Sequence, residues 1–104
     1  MLKGELYERI SASRIVLKEG SVIYRAHFPG YPITPGVCLL QIALELLDSP
    51  LKLSSAKEIK FLSRVIPEET PVLDFSFENL DGEWRASVTT PEGTQIAKMR
   101  FTLS

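Results

Sequence analysis

One hundred and four residues carrying 44% hydrophobic and 24% charged side chains fit one globular domain, residues 1–104, and leave little for a second. Twelve Lys and Arg against thirteen Asp and Glu give a net charge of -1, which supplies no general field for nucleic acid or an anionic membrane. The single cysteine, Cys38, excludes an internal disulfide, and the single histidine, His27, excludes a His-rich metal centre, so no metal or other cofactor is expected.

The chain opens with no secretory-leader pattern, and no apolar run approaches the ~20 residues of a membrane span. A cytoplasmic location is expected. From Leu6 to Leu17 the sequence loosely alternates, and Ser21 to Ala26 is rich in sheet-forming residues. With Lys18-Glu19-Gly20 as a turn, the two runs predict a first hairpin. The segment His27 to Gly36 contains three prolines and two glycines, which forbid a regular ladder or helix. It is read as a shaped loop.

Thr34 is placed as an N-cap and Pro35 at the first helical position, so a helix is predicted from Gly36 through about Leu47. Val37, Cys38, Leu39, Leu40, Ile42, Ala43, Leu44, Leu46 and Leu47 cover most of its circumference, the pattern of a helix buried on nearly all sides. Gln41, Glu45 and Asp48 form one narrow polar stripe, which either faces solvent or serves a site. Strands are then predicted at Ala56–Val65, Val72–Glu78, Glu83–Thr90 and Thr94–Leu103, with Asp81-Gly82 and Glu92-Gly93 as turns. Two strands, one helix and a four-stranded meander predict an α+β fold in which a curved antiparallel sheet of about six strands wraps the helix.

His27 is the only side chain whose unperturbed pKa lies near neutrality. Nine residues on, a helix begins, and its free N–H groups suit a polarised carbonyl or an oxyanion. A base beside such a site fits removal of a proton next to a thioester or ketone; a lone His beside prolines also serves as a structural hydrogen-bonder.

The run His27-Phe28-Pro29-Gly30-Tyr31-Pro32-Ile33-Thr34-Pro35-Gly36-Val37 resembles the H-F-P-G-x-P-x-x-P-G-V signature of the FabZ/FabA-type 3-hydroxyacyl-[acyl-carrier-protein] dehydratases. Lys60-Phe61-Leu62-Ser63-Arg64-Val65-Ile66-Pro67 resembles that family's later K-F-x-x-x-V-x-P strand. The resemblance spans about Tyr24 to Val72. It implies the hotdog fold, a homodimer or an assembly of dimers, and acyl tunnels at the dimer interface. Phe28, Ile33, Val37, Leu40 and Phe61 are then candidates for the tunnel wall, with ordinary core packing as the other reading of each.

The implied reaction is loss of water from a 3-hydroxyacyl thioester to a trans-2-enoyl thioester, in fatty-acid or related lipid synthesis. Backbone N–H near Gly36 or Val37 polarises the carbonyl, and neutral His27 takes the Cα proton. In the family a glutamate or aspartate on the adjoining subunit's helix protonates the leaving hydroxyl. Here that position is Gln41, and an amide delivers no proton at neutral pH. A positioned acid contributes ~10²–10⁴ in rate. Glu45 lies one turn on, ~5–6 Å away on the same helix face.

Three grades of activity follow: Glu45 as a relocated acid, His27 serving both proton transfers with Gln41 orienting the hydroxyl, or no dehydration. Hydrolysis of the thioester with Glu45 as base is an alternative reaction. A non-catalytic subunit that completes a heterodimer is the other. Lys57, Lys60 and Arg64 are a candidate patch for an acidic acyl-carrier protein. Tyr31 at the loop tip is read as a surface group and Cys38 as a buried inert thiol.

Overall fold

The computed structural model describes residues 2–18, 36–63, 65 and 70–104, with Gly36 and Val37 described by their backbone alone. Among these residues there are six strands and one helix: β1 (Tyr7–Arg9), β2 (Arg14–Leu17), α1 (Gly36–Leu47), β3 (Leu53–Phe61), β4 (Val72–Leu80), β5 (Glu83–Thr89) and β6 (Gln95–Leu103). All the strands join one antiparallel sheet in the order β1-β2-β4-β5-β6-β3. The class is α+β, as expected.

Period-two alternation builds the core face. Leu73 and Phe75 of β4, Ala86 and Val88 of β5, and Met99 and Phe101 of β6 are buried in one cluster. Their sequence neighbours point the other way. Leu39, Leu40, Ile42, Ala43 and Leu46 of α1 are buried in the same cluster, so the helix packs on this face of the sheet. Cys38, Leu44 and Leu47 are only half-buried. The helix is therefore less enclosed within one chain than its nearly all-round apolar sequence predicts.

The helix ends where Asp48 enters the left-handed region at φ 50°, with Pro50 two residues on. Its last turn contains no basic residue. Arg9 supplies the missing charge from β1: its Nη2 donates to the carbonyl of Leu46 at 3.5 Å and to that of Ala12 at 3.0 Å. A cation at this end complements the helix dipole.

Two predicted connections are corrected. Leu6 to Leu17 is not one strand but the β1–β2 hairpin, reversed over residues 10–13. That turn has no Gly or Pro; Arg9 Nε donates to the Ser11 carbonyl, and the Ser11 hydroxyl accepts from the N–H of Ser13 and of Arg14. Nor do the last four strands form a meander. β4, β5 and β6 do, but β3 pairs with the far side of β6, from Leu53↔Leu103 to Phe61↔Ala97. The near edge of β4 is taken by β2, with Ile15 opposite Leu73. The predicted strand at residues 21–26, the N-cap Thr34 and Pro35 lie outside the described residues.

Among the described residues one sheet edge is the three-residue β1 and the other is the nine-residue β3. Most of β3 is exposed, and Phe61 at its end is 55% exposed, with Leu62 after it at 52%.

Candidate active site

Of the predicted catalytic residues, Gln41 and Glu45 fall within the described part of the chain. His27, Phe28 and Ile33 lie outside it, as do Tyr31 and Arg64. Gly36 and Val37 open α1, which fixes only where its first backbone N–H groups are in the chain. Among the tunnel-wall candidates Leu40 is buried in the core and Phe61 is exposed on β3.

The polar stripe of α1 is not simply a wet face. Gln41 and Asp48 are exposed, but Glu45 is half-buried and its carboxylate is occupied by four donors. Leu2 N–H reaches Oε2 at 2.8 Å and Gln41 Nε2 reaches the same oxygen at 2.9 Å. Lys3 N–H and the Tyr7 hydroxyl both reach Oε1 at 3.0 Å. Two donors on each oxygen match the roughly four acceptor sites of an ionised carboxylate.

This clamp sets the protonation of its members. Burial works to raise the Glu45 carboxyl, but the Leu2 N–H, the Gln41 amide, the Lys3 N–H and the Tyr7 hydroxyl outweigh it and hold it below the usual carboxylate value. Glu45 is therefore ionised at neutral pH, the wrong state for a proton donor. Tyr7 moves the opposite way, raised by its burial, by its hydrogen bond to Glu45 and by that residue's charge. It stays protonated and keeps donating. Cys38, a free thiol, is raised by burial, which lowers its thiolate content and fits the inert reading.

Tyr7 was invisible to a reading based on motifs. Its only signal is chemical: a tyrosine in an apolar alternation carries a hydroxyl that needs a partner once buried. The partner, Glu45, is 38 residues away in sequence.

Of the basic patch, Lys57 and Lys60 lie on β3, which runs to Phe61, and Arg64 lies outside the described residues. Lys60 pairs with Glu58 at 3.0 Å, and Glu58 also takes Arg100 at 2.8 Å. Lys60, Glu58, Glu78, Arg85, Lys98 and Arg100 line a shallow hollow of about 250 Å³ on the outer sheet face. Cross-strand register, not spacing along one strand, gathers these charges, with Lys60 opposite Lys98 and Arg100 opposite Arg85. Lys57 is exposed on β3.

Comparison with known proteins gives the chain its family. Residues 7–100 match the model of the ApeI-like family, described as ApeI dehydratase. The chain belongs to the ApeI-like dehydratase family. It is 31% identical over 98 residues to the 3-hydroxyacyl-[acyl-carrier-protein] dehydratase FabZ of Roseobacter denitrificans, a match covering 76% of this chain. The chain spans 63% of that relative's length. Its fold matches the dehydratase heterocomplex ApeI:P from Xenorhabdus doucetiae with a TM-score of 0.65 at 17% identity, over 93% of this chain and 92% of that one. The ApeI-like chain thus has the hotdog fold and is related to dehydratases. Among its described residues no helix is long and apolar enough to cross a membrane.

Proposed function

We propose that this ApeI-like chain is one half of a 3-hydroxyacyl-thioester dehydratase, bringing the base His27 and depending on a second hotdog subunit for the acid. The observation that carries this reading is the filled Glu45 carboxylate. With four donors on it and its pKa lowered, the acidic side chain one turn from Gln41 has no proton to give to a leaving hydroxyl. It also has no spare acceptor site with which to activate water, which disfavours the thioesterase alternative.

In the dehydratases that the loop resembles, base and acid come from different subunits. Two copies of this chain would set His27 against Gln41 in both sites and lack an acid twice. Pairing with a relative that keeps Glu or Asp at that position completes one site. There the N–H groups opening α1 polarise the thioester carbonyl, and His27 removes a Cα proton. The partner's acid protonates the β-hydroxyl, and the enoyl thioester and water leave. Retention of His27 and loss of the helix acid are then two sides of one arrangement.

Among the described residues no strand pairs with the outer side of β3, and its Leu53 and Phe61 are exposed, which supports pairing with another sheet. That the ApeI:P neighbour is itself a heterocomplex agrees with an unlike partner. The substrate carrier is read as an acyl-carrier protein, with Lys57, Lys60 and the outer-face cations as its nearest charge complement.

Complementation within the chain itself tests the division of labour. The wild type has the base but no acid; a His27→Ala/Gln41→Glu variant has the acid but no base. Each alone should form no enoyl product from a 3-hydroxyacyl thioester, while their mixture should be active, by ~10²–10⁴ over either component. Turnover by the wild type alone at the rate of the mixture, or an inactive mixture, overturns the proposal.

A further inference from the structure

The side chain of Gln41 has an oxygen that only accepts and an NH₂ that only donates. Which of them faces outward is decided by what the other touches. Ionised Glu45 is purely an acceptor, so only the amide nitrogen can meet it, and it does so at 2.9 Å. The same Oε2 is held by Leu2 N–H, and Oε1 by Lys3 N–H and the Tyr7 hydroxyl. The carboxylate cannot turn without giving up donors on a segment fixed to the sheet. Nor can the amide flip, because flipping would set its oxygen against a carboxylate oxygen.

We infer that Glu45 is a positioning residue that turns the carbonyl oxygen of Gln41 outward, so that the Gln41 position selects 3-hydroxyacyl over 3-oxoacyl thioesters. The inference rests on the reading above, which sets Gln41 against the acyl chain. A β-hydroxyl donates to the outward oxygen. A β-carbonyl meets it lone pair to lone pair. The site built around Gln41 therefore holds the hydroxylated chain without protonating it, and rejects the oxidised form that differs by two hydrogens. Because Gln41 is exposed in the single chain, the gain is that of one ordinary hydrogen bond, about tenfold in affinity.

Binding of unreactive amide analogues of 3-hydroxyacyl- and 3-oxoacyl-pantetheine, followed by calorimetry on the assembled protein, tests this. Wild type should bind the hydroxy analogue about tenfold more tightly. Leu2 N–H and the Gln41 amide share Oε2, whereas Lys3 N–H and the Tyr7 hydroxyl share Oε1, so Glu45→Ala, which removes both oxygens, leaves the Gln41 amide with no acceptor to fix it. Either end of that amide then faces outward, and the preference should fall toward unity. Gln41→Leu, which leaves Glu45 in place, should weaken the hydroxy analogue without helping the oxo one. The readout is a ratio within one protein, which partial loss of folded material does not move. Equal affinities in wild type, or an undiminished preference in Glu45→Ala, overturn the inference and leave the dehydratase reading standing. Failure of wild type to bind either analogue defeats that reading and the inference with it.

Discussion

Tyr7→Phe removes one oxygen from a side chain that is 1% exposed and so isolates a single strut of the Glu45 clamp. The ring keeps its packing. The lost bond is 3.0 Å long and ends on an ionised acceptor, a class worth ~1.5–3 kcal/mol when both groups are buried. Glu45 is only half-buried and retains three donors, so the cost should lie at or just below the bottom of that range, ~1–2 kcal/mol. At ~4–8 °C per kcal/mol for a domain of about this size, the midpoint of thermal unfolding should fall by roughly 5–15 °C.

The pH dependence of that loss is more diagnostic than its size. The Glu45 carboxyl is depressed in the folded chain, so its stabilisation is present above the unfolded carboxyl pKa and is lost as pH falls through the lower folded value. A neutral carboxyl accepts more weakly, and the gap between wild type and Tyr7→Phe should close in acid. The Tyr7 hydroxyl is raised, so its contribution is present below ~10, the ordinary tyrosine value, and is lost as pH rises toward the folded one. The variant has no such proton, and the gap should narrow there too. Melting curves followed by circular dichroism across this range, with a double-mutant cycle against Glu45→Gln, measure both arms. A gap that is constant with pH, together with zero coupling in the cycle, would refute the clamp.

Two further outcomes are expected. Gly82 sits at φ 86° with open space around its missing Cβ, next to Asp81 at φ 53°; Gly82→Ala should therefore cost only the backbone term, ~1–2 kcal/mol in denaturant unfolding, with the β4–β5 pairing kept. Phe61→Glu at the exposed end of β3 should lower the assembly mass in sedimentation while leaving the circular dichroism of the chain unchanged, and an unaltered mass would remove Phe61 from the interface.

What sequence reasoning reached and missed follows from the range of the forces involved. α1 was legible to the residue because its periodicity and its punctuation by Pro35 and Pro50 are local. The β4–β5 and β5–β6 turns were legible for the same reason, as Asp81-Gly82 and Glu92-Gly93 lie between alternating runs. The Ser11-Ala12-Ser13 reversal was not, since side-chain hydrogen bonds shape it and no Gly or Pro marks it. Nor was the place of β3, which depends on β2 having taken the other edge. Glu45 was singled out for its type and spacing, and rightly as a polar group on a buried helix. One of its partners, the Gln41 amide, is its neighbour one turn back on the helix, but the other three are two backbone N–H groups and a phenol near the start of the chain, and no local pattern announces those.

The two margins of the sheet differ in how much backbone they present. Among the described residues the β3 margin is nine residues long and the β1 margin three, so a strand laid along β3 meets a ladder three times as long as one laid along β1.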